Sequence, residues 1–444
     1  MNRKTFDIDI ITLGLYLAMV VMGWSHPMTT MGWLSIYTVT SDSGAVGLFD
    51  TRYEHGKQAL WIGISIVVAL VFITLDYRLF ETLAYFAYGG AILLLILTLF
   101  IGKEVNGAKA WLVLGGQRFQ PAEFAKIATA LAISRFMSRQ TFSMSNPSQL
   151  MTAAGIILLP ALVVILQNDT GSALVFGSFL LVFYREGLSP LVPLFFVACG
   201  VVALLTLFLG TLYEDPAFWY ENHLLWIVLG LLLLIGLVYL VNFNRKYWLR
   251  NLWIYLAVFA FFGGIALSSQ AVFDVLPDHQ QKRIEVFFDP DEDPMGAGYN
   301  VINSKIAIGS GGIDGKGFLQ GNYTKYKFVP KQETDFIFCT VGEEFGWIGT
   351  SGVILLFLAL IARMQFMAEN GKMRFTRVYG YAVLSILFFH LLVNVGMTIG
   401  LVPVIGIPLP FFSYGGSALL SFTVLISIMI NLYSHRVSVL GRES

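Results

Sequence analysis

Continuous apolar stretches of about 20 residues, broken by short polar turns, recur along the whole chain. Stretches of that length can cross the hydrocarbon core of a bilayer as helices, because only a helix or a closed barrel satisfies its own backbone hydrogen bonds there. Twelve such runs are visible, at 10–24, 58–75, 79–101, 122–137, 150–167, 172–186, 189–212, 222–243, 250–270, 342–366, 377–400 and 412–434. No small-residue cleavage site follows Gly23-Trp24-Ser25-His26-Pro27, so the first run is expected to be an uncleaved span. The pattern predicts an all-α polytopic membrane protein of about twelve transmembrane helices, with one long extracytoplasmic loop over 271–341. A single membrane domain over 1–444 is expected, and Tyr213-Glu214-Asp215 and Asn244-Arg245-Lys246 mark 213–270 as an inserted helical hairpin.

Cations in short loops set the orientation. With the N-terminus inside, 15 of the 28 Lys and Arg residues fall on internal stretches, among them Arg78, Arg135, Arg185, Arg374 and Arg377. Seven of the remainder lie in the long loop, where the rule does not apply. Both termini are therefore expected in the cytoplasm. Residues 102–121, the turn at Asp169, the long loop and the turn 401–411 then share the outer face, and the unusual polar residues collect there.

Composition sharpens this reading. Apolar residues make up 56% of the chain and charged residues 13%, against about 45–50% and about 25% in a soluble domain. A soluble enzyme, a disordered chain and a nucleic-acid binder are excluded. Lys+Arg and Asp+Glu balance at 28 each, so charge must act locally. The two cysteines and six unpaired histidines offer neither a disulfide framework nor a zinc site. His390 reads as a hydrogen-bonded interior residue.

Candidate chemistry sits at the outer ends of the spans. Pro121 suits the first turn of a helix, and Glu123 and Lys126 are i and i+3 on one face of it. Ionisable residues there are functional or paired, so a local ion pair with Arg118 at the headgroups is the competing explanation. Asp169 in Gln167-Asn168-Asp169-Thr170-Gly171 is either a site carboxylate or a helix cap. Asp335 precedes Phe336-Ile337-Phe338 at membrane re-entry, where low polarity favours base chemistry, with a cap for the following helix as the alternative. The glycines of 309–317 are no P-loop, since Gly317 stands where Ser or Thr is required. They suit sharp turns and close backbone approach. The proline- and glycine-rich stretch 401–417 reads as a packed re-entrant turn.

Lys109-Ala110-Trp111, Arg118-Phe119-Gln120-Pro121-Ala122-Glu123, Gln167-Asn168-Asp169, Asp293-Pro294-Met295-Gly296-Ala297-Gly298-Tyr299, Lys305 to Gly312, Thr334-Asp335-Phe336-Ile337-Phe338 and Pro408-Leu409-Pro410 with Ser413-Tyr414-Gly415-Gly416-Ser417 occur in that order. Together they resemble the SEDS (shape, elongation, division, sporulation) family. Val404 to Pro408 and Gly416-Ser417-Ala418 resemble its RodA-like elongation branch. The resemblance implies a peptidoglycan glycosyltransferase that polymerises lipid II at the outer face of the bacterial cytoplasmic (inner) membrane, beside a class B penicillin-binding protein. It implies Asp335 as the essential carboxylate, with Glu123 and Lys126 in the adjoining cavity and Asp169 among the substrate-binding residues. Arg118 and Lys126 would neutralise the pyrophosphate, with Arg283, Lys305 or a divalent cation (Mg or Mn) as further candidates; no protein metal site is assigned. Ala122, Asn168, Asn303 and Lys331 depart from the usual Ser, Pro, Gln and Glu of the family. A lipid II flippase would need polar groups through the bilayer, and a non-enzymatic scaffold would not need the outer carboxylates and bases.

Overall fold

The computed structural model describes residues 54–211 and 260–435, apart from 106, 115–116, 266–267, 270, 291–296, 318–319 and 327. The chain divides into two compact units, one of residues 1–188 and 299–444 and the other of 189–298.

In the first unit, α1 (Glu54–Thr74) and α2 (Tyr77–Ile101) meet at Asp76, whose side chain accepts from the Arg78 amide at 3.0 Å and so caps α2. A small sheet follows, made of β1 (Lys103–Val105), β2 (Ala108–Leu114) and β3 (Gln117–Phe119). Its order is β1-β2-β3 and both pairings are antiparallel, Lys103 opposite Trp111 and Val113 opposite Arg118. The all-helical expectation is therefore corrected: the segment 102–121 folds as a sheet, whose turn at Gly107 has φ +82°.

α3 (Pro121–Met137) starts on its proline as expected and is buried along almost its whole length. Ala122, Ala125, Ala128, Ala130 and Ala132 keep it slim enough for helices to approach on several sides. α4 (Pro147–Leu166) is capped by Asn146, whose side chain accepts from the Ser148 amide at 3.1 Å. The run 172–186 folds as two short helices, α5 (Thr170–Gly177) and α6 (Leu180–Arg185).

The second unit contains α7 (Leu191–Thr211) and α8 (Asp278–Phe288). Within it Phe195 packs on Phe261 and Phe262 with ring centroids 5.1 and 5.5 Å apart. The predicted hairpin lies almost wholly outside the described residues.

α9 (Ala297–Ser310) and α10 (Asn322–Lys325) fold part of the predicted outer loop. α11 (Ile337–Glu369) begins inside that predicted loop and breaks at Gly346, with φ +60° and ψ −154°. The glycine segment packs backbone to backbone against this break: Trp347 and Ile348 donate to the carbonyls of Gly312 and Ile313 at 2.9 and 3.2 Å, and Lys316 and Gly317 donate to those of Glu343 and Glu344, both at 3.0 Å. A Cβ on Gly311, Gly315 or Gly346 would run into the opposing main chain, so the close approach read from the sequence requires these residues.

α12 (Arg374–Thr398) and α13 (Gly416–Ser434) complete the core with α3. From α13, the Asn431 side chain donates to the carbonyls of Phe72, Ile73 and Leu75, which satisfies acceptors left open at the end of α1. Leu79, Leu83, Phe86, Leu93 and Phe100 of α2 remain exposed, as a lipid-facing surface requires.

Nine of the twelve predicted runs coincide with these helices. The runs 10–24 and 222–243 lie outside the described residues, and only the end of 250–270 is described, as helix. Five helices among the described residues are each long and apolar enough to cross a membrane: α2, α4, α11, α12 and α13. The protein is a multi-pass membrane protein; twelve spans are not reached among its described residues.

Candidate functional site

Glu123 lies in the first turn of α3, where the helix dipole favours an anion. Its Oε1 is 2.8 Å from Lys126 Nζ, and its Oε2 accepts from Ser421 Oγ of α13 at 2.9 Å. Only 3% of the Glu123 side chain and none of the Lys126 side chain is exposed. Lys126 Nζ also lies 3.1 Å from His390 Nε2 of α12 and 5.4 Å from the centre of the Phe422 ring. An ammonium only donates, which assigns Nε2 as the acceptor and leaves the ring proton on Nδ1. That nitrogen is 2.9 Å from the Pro408 carbonyl, to which it donates.

Asp335 is half-buried and stands in the turn ahead of α11. Lys331, with φ +56°, gathers the amides of Thr334, Asp335 and Phe336 onto its carbonyl. The cap position of α11 is Phe336, without a side-chain cap bond of its own, and Asp335 stands one residue ahead of it. Its main-chain carbonyl accepts from Asn394 Nδ2 at 2.9 Å, and the same amide group donates to the Ile407 carbonyl at 2.9 Å. Asp335 Oδ2 lies 3.3 Å from where a Cβ would sit on Gly406, whose φ is +80°. A side chain there would be strained and would press on the carboxylate.

The stretch 401–415 is thus a packed turn, as read, and it also walls the Asp335 site. Ser413 Oγ donates to the Thr334 carbonyl, the Tyr414 amide donates to that of Glu333 at 2.8 Å, and the Leu409 amide donates to Ser413 Oγ at 2.8 Å.

The cell cycle protein family of FtsW, RodA and SpoVE matches this chain over residues 18–221 and 218–438. The chain belongs to this family. It is 34% identical to the peptidoglycan glycosyltransferase RodA of Treponema pallidum, over 98% of this chain and 99% of that one. It is 32% identical to the peptidoglycan glycosyltransferase MrdB of Escherichia coli K12, over 98% and 97%. Among solved structures, a peptidoglycan synthase complex that coordinates polymerization and crosslinking has a chain similar at a TM-score of 0.64 and 26% identity, covering 97% of this chain and 98% of that one. The rod shape determining protein RodA of Thermus thermophilus shares the fold at a TM-score of 0.58 and 22% identity, covering 97% and 98%.

The remaining residues singled out in this RodA-family sequence sit on other elements. Asp169 caps α5: Oδ1 accepts from the Ser172 amide at 3.0 Å, and Oδ2 accepts from Ser172 Oγ and Gln120 Nε2, both at 2.8 Å. Asp169 is thus a cap, and it ties α5 to the start of α3. Arg118 is exposed on β3, and its carbonyl accepts from Ser417 Oγ at 3.3 Å. Lys305, exposed on α9, lays its side chain against Gly400 just beyond α12. Arg283 lies on α8, in the second unit.

Two positions escaped the sequence reading. Asn394 lies one helical turn beyond His390, a spacing visible in the sequence, yet its partners are main-chain carbonyls that no residue pattern announces. Glu343 is fully buried and holds Lys316 Nζ at 2.8 Å, the Tyr323 and Thr324 amides at 3.0 and 2.8 Å, and Thr324 Oγ at 2.7 Å. It anchors α10 to α11.

Proposed function

We propose that this protein is a peptidoglycan glycosyltransferase that polymerises lipid II, with Asp335 as the general base. The observation that carries the proposal is the Asp335 turn, where a half-buried carboxylate at the head of α11 stands against Gly406. Full-length similarity to glycosyltransferases at 34% and 32% identity supports the same reading.

In this reaction the 4-hydroxyl of the acceptor sugar gives its proton to Asp335 while its oxygen attacks the anomeric carbon of the donor. The bond from that carbon to the undecaprenyl pyrophosphate breaks, and the pyrophosphate leaves with the electron pair. Lys126 is fully buried and engaged by Glu123 and His390, so its part is to hold the site in shape. Arg118 and Lys305 are exposed and touch the two ends of the stretch 400–417, which suits them to the charge on the departing group. Among the described residues no three His, Cys, Asp or Glu side chains converge on a metal position. A Mg or Mn ion would have to draw most of its ligands from the substrate phosphates and water, and no step above depends on one.

The outer face of the bacterial cytoplasmic membrane as the place of reaction, cytoplasmic termini, and a class B penicillin-binding protein as partner complete the proposal. Cation counting supports the orientation. The polymerization and crosslinking complex with a similar chain supports the partner.

The test is polymerisation of labelled lipid II by the purified full-length protein, with and without its partner. Asp335→Asn should leave folding and partner binding intact and lower turnover by about 10²–10⁴-fold. Near-normal glycan synthesis by a well-folded Asp335→Asn protein would remove the catalytic role. Turnover unchanged by the partner would remove the coupling.

A further inference from the structure

Two side chains of α12 link the buried ion pair to the Asp335 turn. His390 and Asn394 are four residues apart, so both project from one face of the helix. His390 reaches Lys126 through Nε2 and the Pro408 carbonyl through Nδ1, at 3.1 and 2.9 Å. Asn394 reaches the adjacent Ile407 carbonyl and the Asp335 carbonyl, both at 2.9 Å. Gly406, next along the chain, faces Asp335 Oδ2. Both side chains are buried, with 1% and 0% exposure.

We infer that His390 is a positioning residue for the glycosyl transfer: with Asn394 it clamps the carbonyls of 407 and 408 and thereby seats Gly406 against the Asp335 carboxylate, while Lys126 fixes the tautomer that can donate to Pro408.

The inference rests on Asp335 as the base and adds what holds it. Without the Nδ1 donor, the Pro408 carbonyl is left unsatisfied in a dry site, and the turn gains freedom to shift. A displacement of about 1 Å at a reacting group costs up to about 10²-fold in rate. Substrate contacts are not altered, so the loss belongs in kcat.

Full-length protein in complex with its partner is assayed for kcat and KM on lipid II, with folding followed by thermal unfolding in detergent. His390→Leu removes both contacts and should lower kcat about 10- to 100-fold, with KM within about threefold. His390→Gln carries a donor and an acceptor on one terminal amide and should recover most of the loss. His390→Asn is too short to span both partners and should fall between them; if the leucine variant does not fold, the glutamine and asparagine variants decide. Wild-type kcat in folded His390→Leu, equal rates in the two amide variants, or a loss confined to KM would each overturn the clamp. Asp335→Asn is run beside them. If it is inactive while His390→Leu is normal, only the clamp fails; if it is active, the base assignment fails first.

Discussion

α12 handles charge in opposite ways at its two ends. In its first turn Arg374 and Arg377 share the carboxylate of Glu186 at 2.8 and 2.9 Å, with their side chains 29% and 33% exposed. Sixteen residues further on, about 24 Å along the helix axis, His390 meets the Lys126–Glu123 pair, which water does not reach. The neighbours of the first end follow suit: Arg185 holds Glu369 at 2.6 Å with both side chains more than a third exposed, and Arg135 pairs with Glu81. Exposed pairs contribute little to stability. A buried pair pays its desolvation out of the attraction between the partners, and well-packed apolar residues often replace it without loss. Charge retained at the buried end is therefore better explained by what it positions than by what it stabilises.

The largest effect is expected where one partner of the buried pair is removed. Lys126→Met leaves Glu123 uncompensated and should lower unfolding free energy by about 3–5 kcal/mol. The double variant Glu123→Gln, Lys126→Met should regain much of that stability while remaining poorly active. Chemical denaturation and lipid II turnover measured on the same preparations check both halves, and an active double variant would break the contrast between the ends.

A middle effect is expected at Glu186, whose side chain is 3% exposed although its arginines reach water. Glu186→Gln should cost about 1.5–3 kcal/mol, the range for hydrogen bonds to charged groups, and should leave lipid II turnover near wild type when the protein is folded. A loss of turnover without a loss of stability would mean that this end also acts on the site.

The smallest belongs to Arg185 and Glu369. Glu369→Gln should cost about 0.2–1 kcal/mol, and raising the salt concentration should shrink the difference further. A salt-insensitive cost above that range would place this pair with the buried one.

What the sequence disclosed follows the same division. Among the described residues nine of the runs were legible as helical because the length of an apolar run is itself the physical requirement for crossing lipid. Glu123 and Lys126 were legible as a pair because i and i+3 share a helix face. Asp335 stood out by the apolar residues behind it, but Gly406 is 71 positions away and nothing local brings them together. The sheet at 103–119 was read only as an outer loop, since its two outer strands have three residues each and too little alternation to register. The cap role of Asp169 was one of two open alternatives, and deciding it took the positions of Gln120 and Ser172. His390 was recognised as an interior hydrogen-bonded residue, yet its partners are an ammonium from another helix and a carbonyl, and the carbonyl is invisible to any pattern of side chains.

The backbone pairing between the glycine segment and the break in α11 also counts residues. Gly312 and Lys316 are four apart, as are their partners Trp347 and Glu343, and Ile313 and Gly317 repeat the offset against Ile348 and Glu344. A single inserted or deleted residue at 313–315 would leave one end of the pairing out of step with the other, with main-chain donors left without their partners. Length is therefore under as strict a constraint here as side-chain identity, and a tag or epitope placed in this polar, glycine-rich and superficially loop-like stretch would damage the fold that carries the site.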